Sequence, residues 1–239
     1  ATDDFLRRNF RNGPYFDTVY VTANPRLDTT GDVKSQFHEV VDVWHTDWDE
    51  DLETVPPDVM TERTLEAHEE FPSKRIISHF IQPHGPFIGK FAKDNVGIHS
   101  GIANHKRKAM NEPEQLEDTY IWELVRQGVV KGETAKRAYD ENLKIVVPHL
   151  ETLASAIDGK TVITSDHGNM LGERAWPFPF RMWGHPNGIL TDELTTVPWH
   201  TIESSNRRTI VSEKPDKSET SDVPSEVKAR LEELGYKQD

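Results

Sequence analysis

At 239 residues the chain is long enough to bury a substantial core, and a single α/β domain is the natural expectation. A formal net charge of −13 with only 35% hydrophobic residues argues against nucleic acid or an anionic membrane surface as a partner, and fits the hydrated, acidic surface of a halophilic protein. There is no cysteine, which removes disulfides, thiolate metal sites and cysteine nucleophiles together.

No run approaches the roughly eighteen apolar residues that a membrane span needs, and no signal-peptide pattern is visible, so a cytoplasmic protein is expected. Thr2-Asp3-Asp4 ahead of Phe5, Leu6 and Phe10 reads as a helix start with a hydroxyl cap and acids in the first turn. Phe16 to Ala23 is strand-like and stops at Asn24-Pro25. Glu39 to Trp44 is a second strand, and Pro56-Pro57 opens a helix that runs to Phe71. His38 and His68 read as surface or packing residues.

Arg75 to Gln82 is a third strand that feeds Pro83-His84-Gly85-Pro86-Phe87. Residues 90–117 are polar, are punctuated by Gly97 and Gly101, and read as an insertion or lid without regular structure. Their basic cluster, His105-Lys106-Arg107-Lys108, reads as a solvated loop. A short helix follows over Ile121 to Gly128. Thr134 to Ile157 is the clearest helix, with Tyr139, Leu143, Val146, Leu150, Leu153 and Ile157 at spacings of three and four. Pro148 should kink it, and Gly159 is placed to close it.

Thr161-Val162-Ile163-Thr164 then runs into Ser165-Asp166-His167-Gly168-Asn169. This is a strand presenting a carboxylate and an imidazole at its C-terminal end, the edge where open α/β sheets collect ligands. Such a pair is half of a divalent-metal site, and equally an Asx-type turn in which the aspartate bonds its own backbone. An irregular aromatic segment containing Trp176 and Trp183, both read as packing, leads to Gly184-His185-Pro186. Arg208 to Ser212 reads as a last strand, 213–222 as a linker and 223–239 as a C-terminal helix and tail, which leaves 1–212 as the main domain. The fold class expected is α/β, with a mostly parallel central sheet flanked by helices and no internal repeats.

The order of these motifs resembles the alkaline phosphatase/sulfatase superfamily in its sulfatase-like branch, especially acidic haloarchaeal members. The resemblance rests on His79-Phe80-Ile81-Gln82-Pro83-His84-Gly85-Pro86-Phe87, the helix with Tyr139 and Asp140, Thr164 to Glu173, Trp183-Gly184-His185, Val197-Pro198 and Leu231 to Tyr236. It implies Asp166 and His167 as metal ligands, His84 beside the substrate as leaving-group acid or oxyanion partner, and His185 on the metal or on the anionic ester. A divalent ion (Mn, Zn, Mg or Ca) would be the cofactor, and a small-molecule or glycan phosphate or sulfate ester the substrate. Relatives that use a plain hydroxyl place it at the head of a helix, the position of Thr2, where free amides help hold an anion. Helix capping accounts for Thr2 as well.

Two departures bear on this. The acidic metal ligands that the superfamily draws from its first strand have no counterpart, because Asp3 and Asp4 follow no strand, so a strand upstream of Ala1 is expected. The Cys/Ser-x-Pro-x-Arg pattern that generates formylglycine is absent. The expected function is therefore a metal-dependent hydrolase or transferase of phosphate or sulfate esters, sulfatase-like without formylglycine. The alternatives are a phosphomutase of the same superfamily and a non-catalytic sulfatase-like domain that binds an anionic glycan or a protein partner.

Overall fold

The computed structural model describes residues 2–96, 101–113, 120–175, 177, 179–186 and 188–215. Helix α1 (Thr2–Phe10) has Asp3 and Asp4 in its first turn and Arg7 and Arg8 in its last, each sign at the end of the helix dipole that favours it. Its buried Leu6, with Phe5 and Phe10, packs on Tyr20, Leu27, Val33 and Phe37. Strand β1 (Tyr15–Thr22) is buried over its last five residues because it is the middle of a three-stranded parallel sheet. A four-residue helix, α2 (Arg26–Thr29), follows it.

β2 (Phe37–Asp42) lies on one side of β1 and β3 (Arg75–His79) on the other, giving the order β2-β1-β3. Thr22 faces Asp42 across one ladder and His79 across the other, so the three strand ends are level. Between β2 and β3 run the short α3 (Val43–Thr46) and the longer α4 (Pro57–Glu70), with proline at the first helical position where its missing N–H costs nothing. Met60 and Ala67 of α4 close the core over Val19, Val21, Val43 and Trp44.

The polar stretch expected to lack structure carries two helices, α5 (Lys90–Asn95) and α6 (Ala103–Ala109). Both are anchored. Ala92 and Val96 pack beside Ile121 and Trp122 of α7 (Ile121–Arg126), and Ile102 and Ala103 are buried. Lys106 is not solvated either: its ammonium pairs with Glu50 and lies over the Trp48 ring.

Helix α8 (Gly132–Ala156) buries Ala135, Ala138, Asn142, Val146 and Leu153, while Leu143 is exposed. The face turned inward is thus shifted from the leucine stripe expected: small alanines permit close packing, and one buried amide has bonds to make. Asn142 Nδ2 donates to the carbonyls of His84 at 2.9 Å and Pro86 at 3.2 Å, and its Oδ1 accepts from Ile88 N at 3.0 Å. α8 ends at Ala156, and Gly159, with φ +106°, sits beyond that end in the turn to the next strand.

β4 (Thr161–Thr164) does not join the parallel sheet. It pairs antiparallel with β7 (Trp199–Ile202), and β5 (Met170–Arg174) with β6 (Arg181–Gly184) forms a second antiparallel ribbon. The short α9 (Asp192–Thr195) lies between β6 and β7. The fold is therefore mixed α/β, with a small parallel sheet and two antiparallel ribbons. The sheet expected to hold β4 is replaced by a two-strand ladder whose hydrogen bonds are satisfied by β7 on one side.

Residues 208–212 form no strand. They are a strap tied down by Val211 N to Ser73 O at 2.9 Å and by the buried Lys74, whose ammonium bonds Phe16 O, Val211 O and Glu213. Trp183 stacks on Trp122, in keeping with packing. Trp176, residues 216–222 of the expected linker and the tail helix lie outside the described residues. Among the described residues no helix is long and apolar enough to cross a membrane.

Asn142→Ala should cost about 2–3 kcal/mol in chemical denaturation, because it strands one N–H and two carbonyls of the His84 loop in the interior. A cost of a few tenths would mean that the amide does not hold that loop.

Candidate functional site

The level ends of the parallel sheet, the end of β4 and the start of α1 meet. The Thr2 hydroxyl, buried at the first position of α1, donates to Asp166 Oδ2 at 2.7 Å and lies 3.4 Å from His167 Nε2. The other carboxylate oxygen accepts from the His167 backbone N–H at 3.0 Å, the next residue; the N–H two residues on, which an Asx turn would use, goes to Leu194 O instead. Gly168 is needed beside them: a Cβ there would stand 1.9 Å from Glu193 O, and its N–H bonds Leu194 O at 3.0 Å.

His167 Nδ1 faces Gly168 O at 2.8 Å and must carry the proton of that bond. In the neutral ring Nε2 is then a lone pair, aimed at Thr2 and 3.6 Å from Asp166 Oδ2. The His185 ring lies 4.6 Å from that of His167, centroid to centroid. His185 follows β6 at Gly184, whose φ of +79° calls for glycine, as does the 2.8 Å at which an added Cβ would stand from Trp122.

His185 Nε2 and His84 Nε2 share one partner, the Tyr120 hydroxyl, at 2.8 and 3.0 Å. His84 Nδ1 in turn faces Gly85 O at 2.7 Å. All five residues expected at the site (Thr2, His84, Asp166, His167 and His185) therefore belong to one contiguous cluster. His79, read from the sequence as a satisfied core histidine, is bonded through Nδ1 to Tyr20 OH at 2.9 Å.

Residues that sequence reasoning missed complete the wall. Arg26 holds Asp3 Oδ1 at 3.0 Å and His105 Nε2 at 2.6 Å. Asp3 is thus a partner of Arg26, and His105 is drawn inward from a cluster that reads as solvated. Tyr120 and Asn142 sit in no motif. For Arg26 and Tyr120 there was no local signal, since each acts through contacts with distant parts of the chain.

The electrostatics are those of a buried carboxylate close to several buried imidazoles. Burial works to raise the Asp166 carboxyl, but His79, His167, the Thr2 hydroxyl and His84 together outweigh it and hold it below the usual carboxylate range. Burial lowers His84 to about 4, His105 to about 4 and His185 to about 2, helped in each case by neighbouring positive charge that includes Arg26. Burial, with Asp166 adding to it, raises the Tyr20 hydroxyl.

The donors around Thr2 suit a divalent cation in kind: one carboxylate, one imidazole with a free Nε2 and one hydroxyl. Their separations of 2.7, 3.4 and 3.6 Å are near the roughly 3–3.5 Å between ligands about 2.0–2.2 Å from a small ion. Among the described residues no group of three or more His, Cys, Asp or Glu is arranged to hold a metal; at Thr2 only two residues of those types, Asp166 and His167, come together. His185 Nε2 faces Tyr120 rather than this group.

No protein-family model, curated protein or solved structure matches the chain.

Histidines held neutral by folding must take up protons when the chain unfolds in acid. Below the unfolded value of about 6.5 the unfolded chain binds more protons, so the stability contributed by keeping His84, His105 and His185 neutral is present above that pH and falls away towards about 4. The melting temperature should be flat between about pH 7 and 8 and should fall steadily from about 6.5 to 4. His84→Asn with His185→Asn should flatten that slope, and an unchanged slope would contradict the burial assigned to these rings.

Proposed function

We propose that this protein is a hydrolase or transferase of phosphate or sulfate esters in which the Thr2 hydroxyl is the nucleophile. The observation that carries the reading is the 2.7 Å bond from that hydroxyl to Asp166 at the N-terminus of α1. The order of motifs, similar to the sulfatase-like branch of the alkaline phosphatase superfamily, supports it.

Thr2 Oγ attacks the phosphorus or sulfur centre while its proton passes to Asp166 Oδ2, the atom it already bonds. The bond to the leaving oxygen breaks and its electron pair departs as alkoxide, which is protonated from the His84–Tyr120–His185 group. Water then cleaves the Thr2 ester to give hydrolysis, or an acceptor alcohol takes the group to give transfer. Arg26 and the free amides of the first turn of α1 stabilise the charge on the non-bridging oxygens. A divalent cation held by Asp166 and His167, with Thr2 Oγ1 as a further donor, would lower the pKa of the attacking hydroxyl; the imidazole favours manganese or zinc over calcium.

Hydrolysis of an aryl phosphate and an aryl sulfate, each with and without added manganese or zinc, tests this. Thr2→Ala should lower kcat by about 10³-fold or more, and Thr2→Ser should retain most of the activity. Asp166→Ala should lose both turnover and stoichiometric metal. Tight phosphate binding without turnover in the wild type would instead favour a non-catalytic domain for anionic glycans or protein partners. Undiminished turnover in Thr2→Ala would remove Thr2 from the chemistry.

A further inference from the structure

Tyr120 lies outside every motif, yet its oxygen touches two imidazoles of the site. A phenol oxygen has one proton to give and two lone pairs that accept. Two ring nitrogens meet it, His84 Nε2 at 3.0 Å and His185 Nε2 at 2.8 Å.

Both bonds are settled by His84. Its Nδ1 lies 2.7 Å from Gly85 O, and since a carbonyl only accepts, the proton of that ring is on Nδ1. Above the ordinary histidine range an imidazole carries one proton, so His84 Nε2 is a lone pair. Tyr120 must then give its proton to His84. A lone pair of its oxygen must receive one, from His185 Nε2–H. With its one proton on Nε2, His185 has a lone pair on Nδ1.

We propose that Tyr120 is a positioning residue that fixes the two imidazoles in opposite tautomers, His84 protonated on Nδ1 and His185 protonated on Nε2. The two rings, alike in sequence context, are divided in role by it. His84 has both nitrogens engaged, one on Gly85 and one on Tyr120, so it shapes the site and passes a proton only by exchange with the phenol. Among the described residues His185 Nδ1 has no hydrogen-bond partner, so His185 is the ring of the two whose lone pair is open to a proton or a cation.

The tautomers stand on the hydrogen bonds alone. The consequence for turnover rests on the ester-transfer reading above.

The test is a two-bond proton–nitrogen correlation spectrum of the full chain carrying ¹⁵N-histidine, recorded at about pH 7.5, well above the ordinary histidine range. His84→Gln and His185→Gln assign the two spin systems. His84 should show a protonated Nδ1 and a bare Nε2, and His185 the reverse. In Tyr120→Phe, His185 loses its acceptor and should relax towards a mixture of tautomers, while His84 stays protonated on Nδ1 against Gly85. If the ester reading holds, kcat in that variant falls about ten- to a hundredfold with KM little changed, the usual size for a group that orients another.

The same tautomer on both rings in the wild type, or a His185 spectrum unmoved in Tyr120→Phe, would overturn the proposal. The wild-type spectrum decides by itself if the variant fails to fold. Opposite tautomers in a protein without ester turnover would leave the positioning role standing and sink only the reaction.

Discussion

One hydrogen bond joins the two ends of this fold. Thr2 and Asp166 stand 164 residues apart, and their side chains meet at 2.7 Å with both groups largely withdrawn from water. β4 shares no ladder with the three-stranded sheet, and the Thr2–Asp166 bond links its end to the helix packed on that sheet. A charge-assisted bond of this kind contributes more than a neutral one, and leaving either partner unpaired in the interior costs more again. The helix that offers Thr2 is itself held by Leu6 against the parallel sheet, so packing on one side of the molecule positions a carboxylate belonging to the other.

Around that bond the protein divides its charge. A single carboxylate keeps its negative charge because four polar neighbours compensate for the loss of water. Burial instead disfavours the charged form of His84, His105 and His185, and Arg26 is braced between Asp3 and His105. This is a site with few mobile protons at neutral pH. Which nitrogen holds a proton therefore matters more here than the number of histidines present, and a phenol and a carbonyl decide it.

Much of the arrangement was legible in the residues. Alternation and turn signals placed β1, β2, β3 and α4, and a strand running into Asp-His placed the pair at a strand end, where the structure has it. Thr2, His84, Asp166, His167 and His185, each singled out in the sequence, lie next to one another in the fold. What was not legible depends on partners distant in sequence. The stretch around α5 and α6 reads as solvated because its residues are polar, yet His105 and Lys106 are drawn in by Arg26, Glu50 and Trp48, none of which is near in the chain. On the inward face of α8, Val146 and Leu153 of the expected stripe are buried but Leu143 is not, and Ala135, Ala138 and Asn142 are turned in as well, because a buried amide that serves a loop leaves no trace in hydrophobic periodicity. The pairing of β4 with β7 was equally hidden, since a four-residue apolar run does not say which edge it will meet.

The most direct test of the account is a double-mutant cycle in urea unfolding with Thr2→Val, Asp166→Asn and the pair. A hydrogen bond between a hydroxyl and a buried charged carboxylate predicts a coupling energy of about 1.5–3 kcal/mol. Additive effects, with a coupling below about 0.5 kcal/mol, would mean that the two side chains do not meet and that the site built around them does not exist as described.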